Sequence, residues 1–424
     1  MRILHIEYGF DYPLPGGEQK RVFEECQRLA QTDELLLAYS SSHTDWRSTK
    51  KEFNHTQIPF KTTEFEIKEP FQPRKWNLRR NLLSSVRREK AKTIKKIIKD
   101  FKPDIIHLHA GSGITFFYII YVAKSFNVPI VVMMHNHWPL CTAIGFFDFK
   151  HKKYCDNKVV CGRCLSDRFK SIVSFFYKNV LARYVLKNVD HFICYTDFSK
   201  SLLMQAGVSS KKVTVIPPGI DNVAIKNIRN FTQRKFVTFS GRISIEKGPD
   251  IFLEVAKYYA DSDELQFLFI GDGFFRDEIE KLSKRYHLRN ITFAGWIDDR
   301  ERYYDILGQT KVLIVPSLWV ETFGMVILDA FQCGVPVIAS NRGGVPLIMK
   351  NGKHGFVVEP ATHEIISKLE NIIGNPFLWE KMSNACLNYD FKKFSWEINA
   401  EKLRNLYRSL IERYHECNSG RSGQ

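Results

Sequence analysis

Several things are absent from this 424-residue sequence, and each absence removes a class of protein. No apolar run reaches the ~18–20 residues that a membrane-spanning helix needs. The longest candidate, Ile114 to Ala123, is about half that length. The opening "MRILHIEYGF" has no cleavable signal pattern, because its apolar stretch meets Glu7 and Asp11 at once. A cytoplasmic location is the expectation. There is no internal repeat and no low-complexity tract. No zinc-finger, RRM-like or helix-turn-helix pattern accompanies the net charge of +16, so nucleic acid is not an expected partner. A disulfide framework is not expected either. Five of the nine cysteines are scattered, mostly among apolar residues as at Cys194 and Cys333, and read as small core residues.

Acid is scarce in the first half. Residues 1–218 hold 35 Lys and Arg against 20 Asp and Glu, and the remainder holds 27 against 26, so the charge excess belongs to the N-terminal half. The densest stretch, Arg74 to Lys99, has eleven basic residues and one acid, Glu89. Leu78, Leu82, Leu83, Val86, Ile94, Ile97 and Ile98 interleave at helical spacing. Two readings stay open. A basic amphipathic helix suits an anionic membrane surface, at ~1 kcal/mol per Lys or Arg near it. Alternatively it is a solvated helix that packs its Leu/Ile stripe on the core.

What is present is a rhythm. The composition, 44% hydrophobic and 25% charged, is that of a globular protein, and the length suits two domains. Short β-branched runs ("MRILHIE", "ELLLAYS", "DIIHLHA", "PIVVMMH", "HFICYT", "KVTVIPP") alternate with helical segments. After residue 230 the pattern restarts with "KFVTFSG", "LQFLFIGDG", "NITFAGW", "KVLIVPS", "PVIAS" and "GFVVEP". Unbroken apolar strands separated by helices indicate α/β architecture with parallel sheets covered on both faces. Two such sets give two doubly wound, Rossmann-like domains, with ligands beyond the carboxyl ends of the strands. Pro217-Pro218-Gly219 and the polar stretch after it place the linker near 218–233. The segment "FSWEINAEKLRNLYRSLIERY" is helical by period, and the last residues, "NSGRSGQ", read as disordered.

Three features of the second half carry chemistry. Ser240-Gly241-Arg242 through Lys247-Gly248 leaves a strand and enters a helix. Glycines let the backbone approach a ligand, and an Arg and a Lys five apart can bracket a diphosphate. Gly271-Asp272-Gly273 is a glycine turn after a strand, a binding-loop shape that more often only reverses the chain. In "VETFGMVILDA", Glu321 stands where a buried helix starts, and free N–H groups there favour a phosphate. Asp329 follows eight residues on, ~12 Å along a helix, about the length of a nucleotide sugar from hexose to ribose. A buried unpaired Asp is costly, which argues against an incidental one.

The ordered set Gly16-Gly17, His135, Gly241-Arg242 with Lys247-Gly248, and Glu321-x7-Asp329 followed by "CGVPVIAS" resembles the retaining glycosyltransferases of family 4, which have the GT-B fold. The resemblance covers nearly the whole chain. It implies an acceptor-binding domain at 1–218, a nucleotide-sugar-binding domain at 219–390, and a helix within 391–424 that crosses back to the N-terminal domain. It implies a hexosyltransferase that takes a nucleotide diphosphate sugar as donor and requires no cofactor or metal for catalysis. Arg242 and Lys247 would bind the diphosphate, and Glu321 the donor sugar. Backbone N–H groups of Phe323, Gly324 and Met325 would line the sugar-phosphate site. Gly16 and Gly17 would face the phosphates across the cleft, and His135 would approach the sugar. The second acid, usually Glu in the family, would hold the ribose; here it is Asp329. The family and the basic first half suggest a lipid-linked or envelope-glycan acceptor, with the protein peripheral on the inner face of the cell membrane. A nucleotide-sugar epimerase, an α-glucan synthase and a non-catalytic membrane-binding relative stay open as alternatives.

Cys141, Cys155, Cys161 and Cys164, after "HNHWPLC", resemble an insertion found in a subset of that family. Four thiolates could hold a structural zinc tetrahedrally, or the cluster could be reduced and pack a loop. Asp261-Ser262-Asp263 reads as a helix-ending loop and not a metal motif. His107 and His109 read as mainly structural, and His137 remains open between structure and substrate contact.

Overall fold

The computed structural model describes residues 1–8, 17–40, 60–64, 86–109, 113–141, 145–148, 153–155, 180–221, 229–262 and 264–419. Seven strands form the first sheet: β1 (Arg2–Tyr8), β2 (Glu34–Ser40), β3 (Lys61–Glu64), β4 (Ile105–Leu108), β5 (Ile130–Met133), β8 (His191–Cys194) and β9 (Val213–Val215). Their order is β3-β2-β1-β4-β5-β8-β9. Between β5 and β8 lies a small antiparallel pair, β6 (Phe147–Asp148) and β7 (Lys153–Tyr154). The second sheet runs β12-β11-β10-β13-β14-β15. Its strands are β10 (Phe236–Ser240), β11 (Gln266–Ile270), β12 (Ile291–Gly295), β13 (Thr310–Val315), β14 (Val337–Ser340) and β15 (Gly355–Val358). Both large sheets are parallel throughout. Strands β4, β5, β8 and β14 are buried at every position, which is why their sequences are unbroken apolar runs and not alternating ones. The fold is the two-domain α/β arrangement that the strand rhythm predicts.

Five helices matter for the site: α1 (Gly17–Leu29), α2 (Val86–Phe101), α3 (Arg300–Leu307), α4 (Met325–Gln332) and α5 (Trp396–Ser419). Helix α4 ends where expected, with Gly334 at φ +62 just past it. Helix α5 crosses back over the first domain. Leu403, Tyr407 and Leu410 recur at helical spacing and are all buried, and Arg404 Nε lies 2.9 Å from Asp33 Oδ2. The helix continues to Ser419, two residues into the tail read as disordered, because nothing in "Asn-Ser" forces a stop. One apolar cluster runs from β1 and α1 through Tyr195, Ile216, Ile220 and Phe394 to Phe323 and α4, so a continuous core joins the two sheets.

Helix α2 shows part of its apolar stripe packed on the core. Ile94 and Ile98 are buried in the first domain's core, while Lys92, Lys95, Lys96 and Lys99 are exposed. The isoleucines are spent on packing, so they are not free to enter a bilayer. Residues 74–85 lie outside the described set. Among the described residues, no helix is long and apolar enough to cross a membrane.

Candidate active site

One side of the site is built at the carboxyl ends of β10 and β13. Strand β10 delivers Gly241 and Arg242, and a short 3-10 turn, Ile245–Lys247, presents Lys247. Gly248 then turns at φ +68, and a Cβ there would overlap the Pro316 carbonyl oxygen, so only glycine fits. Strand β13 leads into Ser317, Trp319 and Glu321. The Glu246 carbonyl accepts from the N–H groups of Leu318 at 2.9 Å and Trp319 at 3.3 Å, which ties the two loops together.

Lys247 and Glu321 meet in this frame. Lys247 Nζ lies 2.6 Å from Glu321 Oε1, and Ser317 Oγ donates to the same oxygen at 2.5 Å. Burial of Glu321 opposes its ionisation, but the Lys247 ammonium, with Ser317 and Trp319, outweighs burial and holds the carboxyl below the usual range. The Lys247 ammonium also sits 4.7 Å from the centre of the Trp319 ring. Arg242 is more exposed and pairs with buried Glu246 at 3.3 Å. Gly324, at φ +101, precedes α4. The first N–H groups of that helix have no intrahelical acceptor and are aligned with its dipole.

Asp329 sits one face along α4. The Tyr304 hydroxyl donates to its Oδ1 at 2.7 Å. Burial pushes the Asp329 carboxyl up to about 6, against the lowering effect of Tyr304 and Arg300.

The opposite side is made of neutral rings. His5 and His107 are register partners on β1 and β4. Tyr407 Oη lies 2.5 Å from His107 Nδ1 and 3.5 Å from His5 Nε2. His5 Nδ1 lies 2.8 Å from His109 Nε2, and His109 Nδ1 lies 3.1 Å from His135 Nε2. His135 Nδ1 lies 2.5 Å from Tyr195 Oη, which ends the chain. Burial lowers the pKa of all four imidazoles, His5 to about 3, and keeps them uncharged. Two ligands on one tetrahedral metal stand ~3.4 Å apart, from Zn–N distances of about 2.1 Å. The 2.8 Å between His5 and His109 is hydrogen-bond spacing, so these rings form a chain.

Several expected residues fall in place and others do not. His135 lies near the cleft, yet both of its ring nitrogens are taken by protein groups, so its ring has no free nitrogen to offer a sugar. His137 bonds Ser199 Oγ at 3.3 Å, is titrated down to about 4 by burial, and feels the Glu321 charge. Gly17 opens α1, and Gly16 lies outside the described residues. Cys141 and Cys155 are buried, while Cys161 and Cys164 lie outside the described residues, as does Asp263 of the Asp-Ser-Asp stretch. Asp261 and Ser262 follow a helix end, with Ser262 N–H on the Tyr259 carbonyl. Sequence reasoning missed the residues that join the two sides. Thr196 Oγ1 donates to the Thr322 carbonyl at 3.4 Å, and the Tyr195 ring meets Phe323 edge-on at 6.2 Å. The Gly145 carbonyl, between Cys141 and Cys155 in the sequence, accepts from Val320 N–H at 2.7 Å. A Cβ on Gly145 would overlap the Trp319 ring. Only the Trp next to the acidic motif was a usable signal; the rest are long-range contacts with no local pattern.

Residues 222–391 match the family described as Glycosyl transferases group 1, and residues 15–222 match Glycosyltransferase Family 4. The chain belongs to this glycosyltransferase group. Among relatives of this glycosyltransferase, a protein of the cps region of Klebsiella pneumoniae is 27% identical over 315 residues, 69% of this chain and 82% of that one. The UDP-Gal:alpha-D-GlcNAc-diphosphoundecaprenol alpha-1,3-galactosyltransferase of Escherichia coli is 28% identical over 333 residues, 74% of this chain and 78% of that one. The structure of Anabaena HepE in complex with UDP-glucose superimposes with a TM-score of 0.68 at 15% identity, covering 96% of this chain and all of that one. This likeness shows the GT-B fold.

Proposed function

We propose that this glycosyltransferase moves a hexose from a nucleotide diphosphate sugar to an acceptor hydroxyl with retention of anomeric configuration. The observation that carries the reading is the Lys247–Glu321 pair at the N-terminus of α4, with Arg242 beside it. The unit 219–390 would hold the donor and the unit 1–218 the acceptor. As the bond from the anomeric carbon to the diphosphate oxygen breaks, its electron pair leaves with the diphosphate. Lys247, Arg242 and the helix N-terminus stabilise that charge. The acceptor oxygen bonds to the same face of the sugar, and its proton passes to the departing phosphate. Glu321 is a poor candidate for a covalent nucleophile, since Lys247 and Ser317 already claim one of its oxygens. It orients the sugar hydroxyls instead. Phe323, Gly324 and Met325 offer backbone N–H groups to the phosphates, and Gly16, Gly17 and Gly241 let backbone approach them. His135 acts by shape and position, because its nitrogens are engaged. The residues described need no catalytic metal, and Cys141, Cys155, Cys161 and Cys164 remain a structural zinc proposal, tested by elemental analysis of purified protein.

The relatives and neighbours named above support a UDP-sugar donor and a lipid-linked envelope glycan as acceptor. The exposed lysines of α2 support electrostatic contact with an anionic membrane surface on its cytoplasmic side. The test is sugar transfer by the Arg242→Ala/Lys247→Ala double variant with UDP-, GDP- and ADP-sugars, ranked first by thermal shift. Loss of transfer is expected, and undiminished transfer overturns the assignment. Glu321→Gln should mainly lower kcat and Asp329→Asn should mainly raise donor KM; the reverse would exchange the two ends. Transfer to water, or interconversion of the donor without an acceptor, would favour the epimerase alternative. Elongation of a glucan would favour the α-glucan synthase.

A further inference from the structure

Glu321 stands on a loop that is fastened from the far side of the cleft. The residue before it gives its N–H to the Gly145 carbonyl, and the residue after it, Thr322, offers its carbonyl to Thr196 Oγ1 at 3.4 Å. Thr196 follows β8 of the first sheet, and Glu321 follows β13 of the second. The Thr196 hydroxyl is used twice. It caps the helix Asp197–Gln205, its oxygen accepting from the Ser199 N–H at 3.3 Å. A carbonyl can only accept, so the hydroxyl proton goes to Thr322. Ser199 Oγ lies 3.3 Å from Thr196 Oγ1, and His137 Nε2 lies 3.3 Å from Ser199 Oγ. All three side chains are buried.

The glycine beside this contact has no conformational reason to be one. Gly344 has φ −76 and ψ −14, a helical pair open to any residue. A Cβ there would lie 2.9 Å from the Thr322 oxygen and 3.0 Å from Thr196 Cγ2. The absent side chain is the room in which Thr196 meets the loop. The Gly344 N–H donates to the Glu321 carbonyl at 2.8 Å, so the acid's main chain is also held from its own side. Gly145 mirrors this from the other half of the chain, where its bare Cα admits Trp319.

We propose that Thr196 is a positioning residue for Glu321. Its hydroxyl fixes the Thr322 carbonyl, and with it the direction in which the Glu321 carboxylate faces the donor sugar. At 3.4 Å the bond is long and contributes little to stability. Its effect falls on rate, because a small misplacement of a group at the reacting centre is costly there. The bond exists only while the two sheets are apposed, so the acid takes its working position when the halves meet. The half that carries Glu321 does not complete its own sugar site.

The proposal rests on the reading of Glu321 as the donor-sugar acid, and three substitutions at Thr196 keep the two apart. Sugar transfer from a UDP-sugar, UDP binding by calorimetry and thermal unfolding are measured for Thr196→Ser, Thr196→Asp and Thr196→Val. Serine keeps the cap and the donated proton and should behave as the wild type. Aspartate keeps the cap and cannot donate to a carbonyl; valine loses both. Both should lower kcat roughly five- to tenfold with UDP affinity within about twofold, and only valine should lower the unfolding temperature by several degrees. Gly344→Ala, which leaves the cap intact and crowds Thr196 away from Thr322, should reproduce the loss of kcat. Wild-type transfer by Thr196→Asp and Gly344→Ala would reduce Thr196 to a helix cap and overturn its role. So would a Thr196→Ser as impaired as Thr196→Val, since the hydroxyl would then not be what acts. If Glu321→Gln transfers sugar as the wild type does, the reading of the acid fails and this inference with it. If Glu321→Gln is impaired and the Thr196 and Gly344 variants are not, the positioning role alone falls.

Discussion

The two walls of the cleft solve the same problem with opposite chemistry. One wall pairs its charges, Lys247 with Glu321 in a buried pair and exposed Arg242 with buried Glu246. The opposite wall buries imidazoles and keeps them neutral in a hydrogen-bonded chain from Tyr407 to Tyr195. A buried ion pair is retained at a desolvation cost that hydrophobic residues would avoid. On the proposed reading it meets the diphosphate. A chain of neutral rings has no net charge to present, and its hydrogen bonds fix the ring orientations.

The largest test of this contrast is Lys247→Ala. Removing the ammonium strands a buried carboxylate and, on the proposed reading, deletes a phosphate contact, so kcat should fall roughly 10²–10³-fold, read as sugar transfer. A loss under about tenfold would place the charge stabilisation elsewhere. The second test is acid. Each buried imidazole has its folded pKa below the value of about 6.5 in the unfolded chain, so the unfolded state binds the extra proton. The stability these groups contribute is full above pH 6.5 and is lost as pH falls towards their folded values, about 3 for His5 and about 4 for His137. Each group costs up to about 1.4 kcal/mol per pH unit across that window. Asp329 has the opposite sign. Its raised carboxyl gains stability on protonation below about 6, and the raised carboxyls of Glu24, Glu25 and Asp221 act in the same sense, but seven lowered imidazoles oppose them. The unfolding temperature should therefore drop by several degrees between pH 7 and pH 5. A flat profile over that range would mean that the rings are not held neutral.

Gly145→Ala probes the join between the walls. The added methyl meets the Trp319 ring, and overpacking of this kind costs about 1–3 kcal/mol. Activity should fall more than stability does, since Trp319 covers Lys247; equal loss of both would reduce Gly145 to packing. The smallest effect is expected at Glu34→Gln. Its ion pair with Lys61 is 3.5 Å long and exposed on both sides, so stability should change by under about 0.5 kcal/mol. A larger change would show that surface charge matters more here than the contrast of the walls allows.

Part of one wall was legible in the sequence, and little of the other. Arg242, Lys247 and Glu321 were singled out by local spacing at strand ends and a helix start, and the structure brings Lys247 and Glu321 together. The Tyr304 hydroxyl on Asp329 was not foreseen, because that contact crosses from α3 to α4. The histidines were visible as residue types and were read as mainly structural. What they form depends on Tyr407, 300 positions from His107, and no local period shows that. The amphipathic stripe of α2 was left open, since a sequence cannot say whether a core or a bilayer covers it; Ile94 and Ile98 are covered by the core.

Helix α5 carries a practical consequence. Its Tyr407 stands between strands β1 and β4, Arg404 grips Asp33, and Trp396 meets Asp221, so the first domain is finished by the last stretch of the chain. The module that could be traded between enzymes of this kind is thus discontinuous. A hybrid that joins a foreign first half to this second half would bring together a sheet and a closing helix that never evolved to fit. Exchange of acceptor halves should succeed only when residues 391–419 travel with residues 1–218.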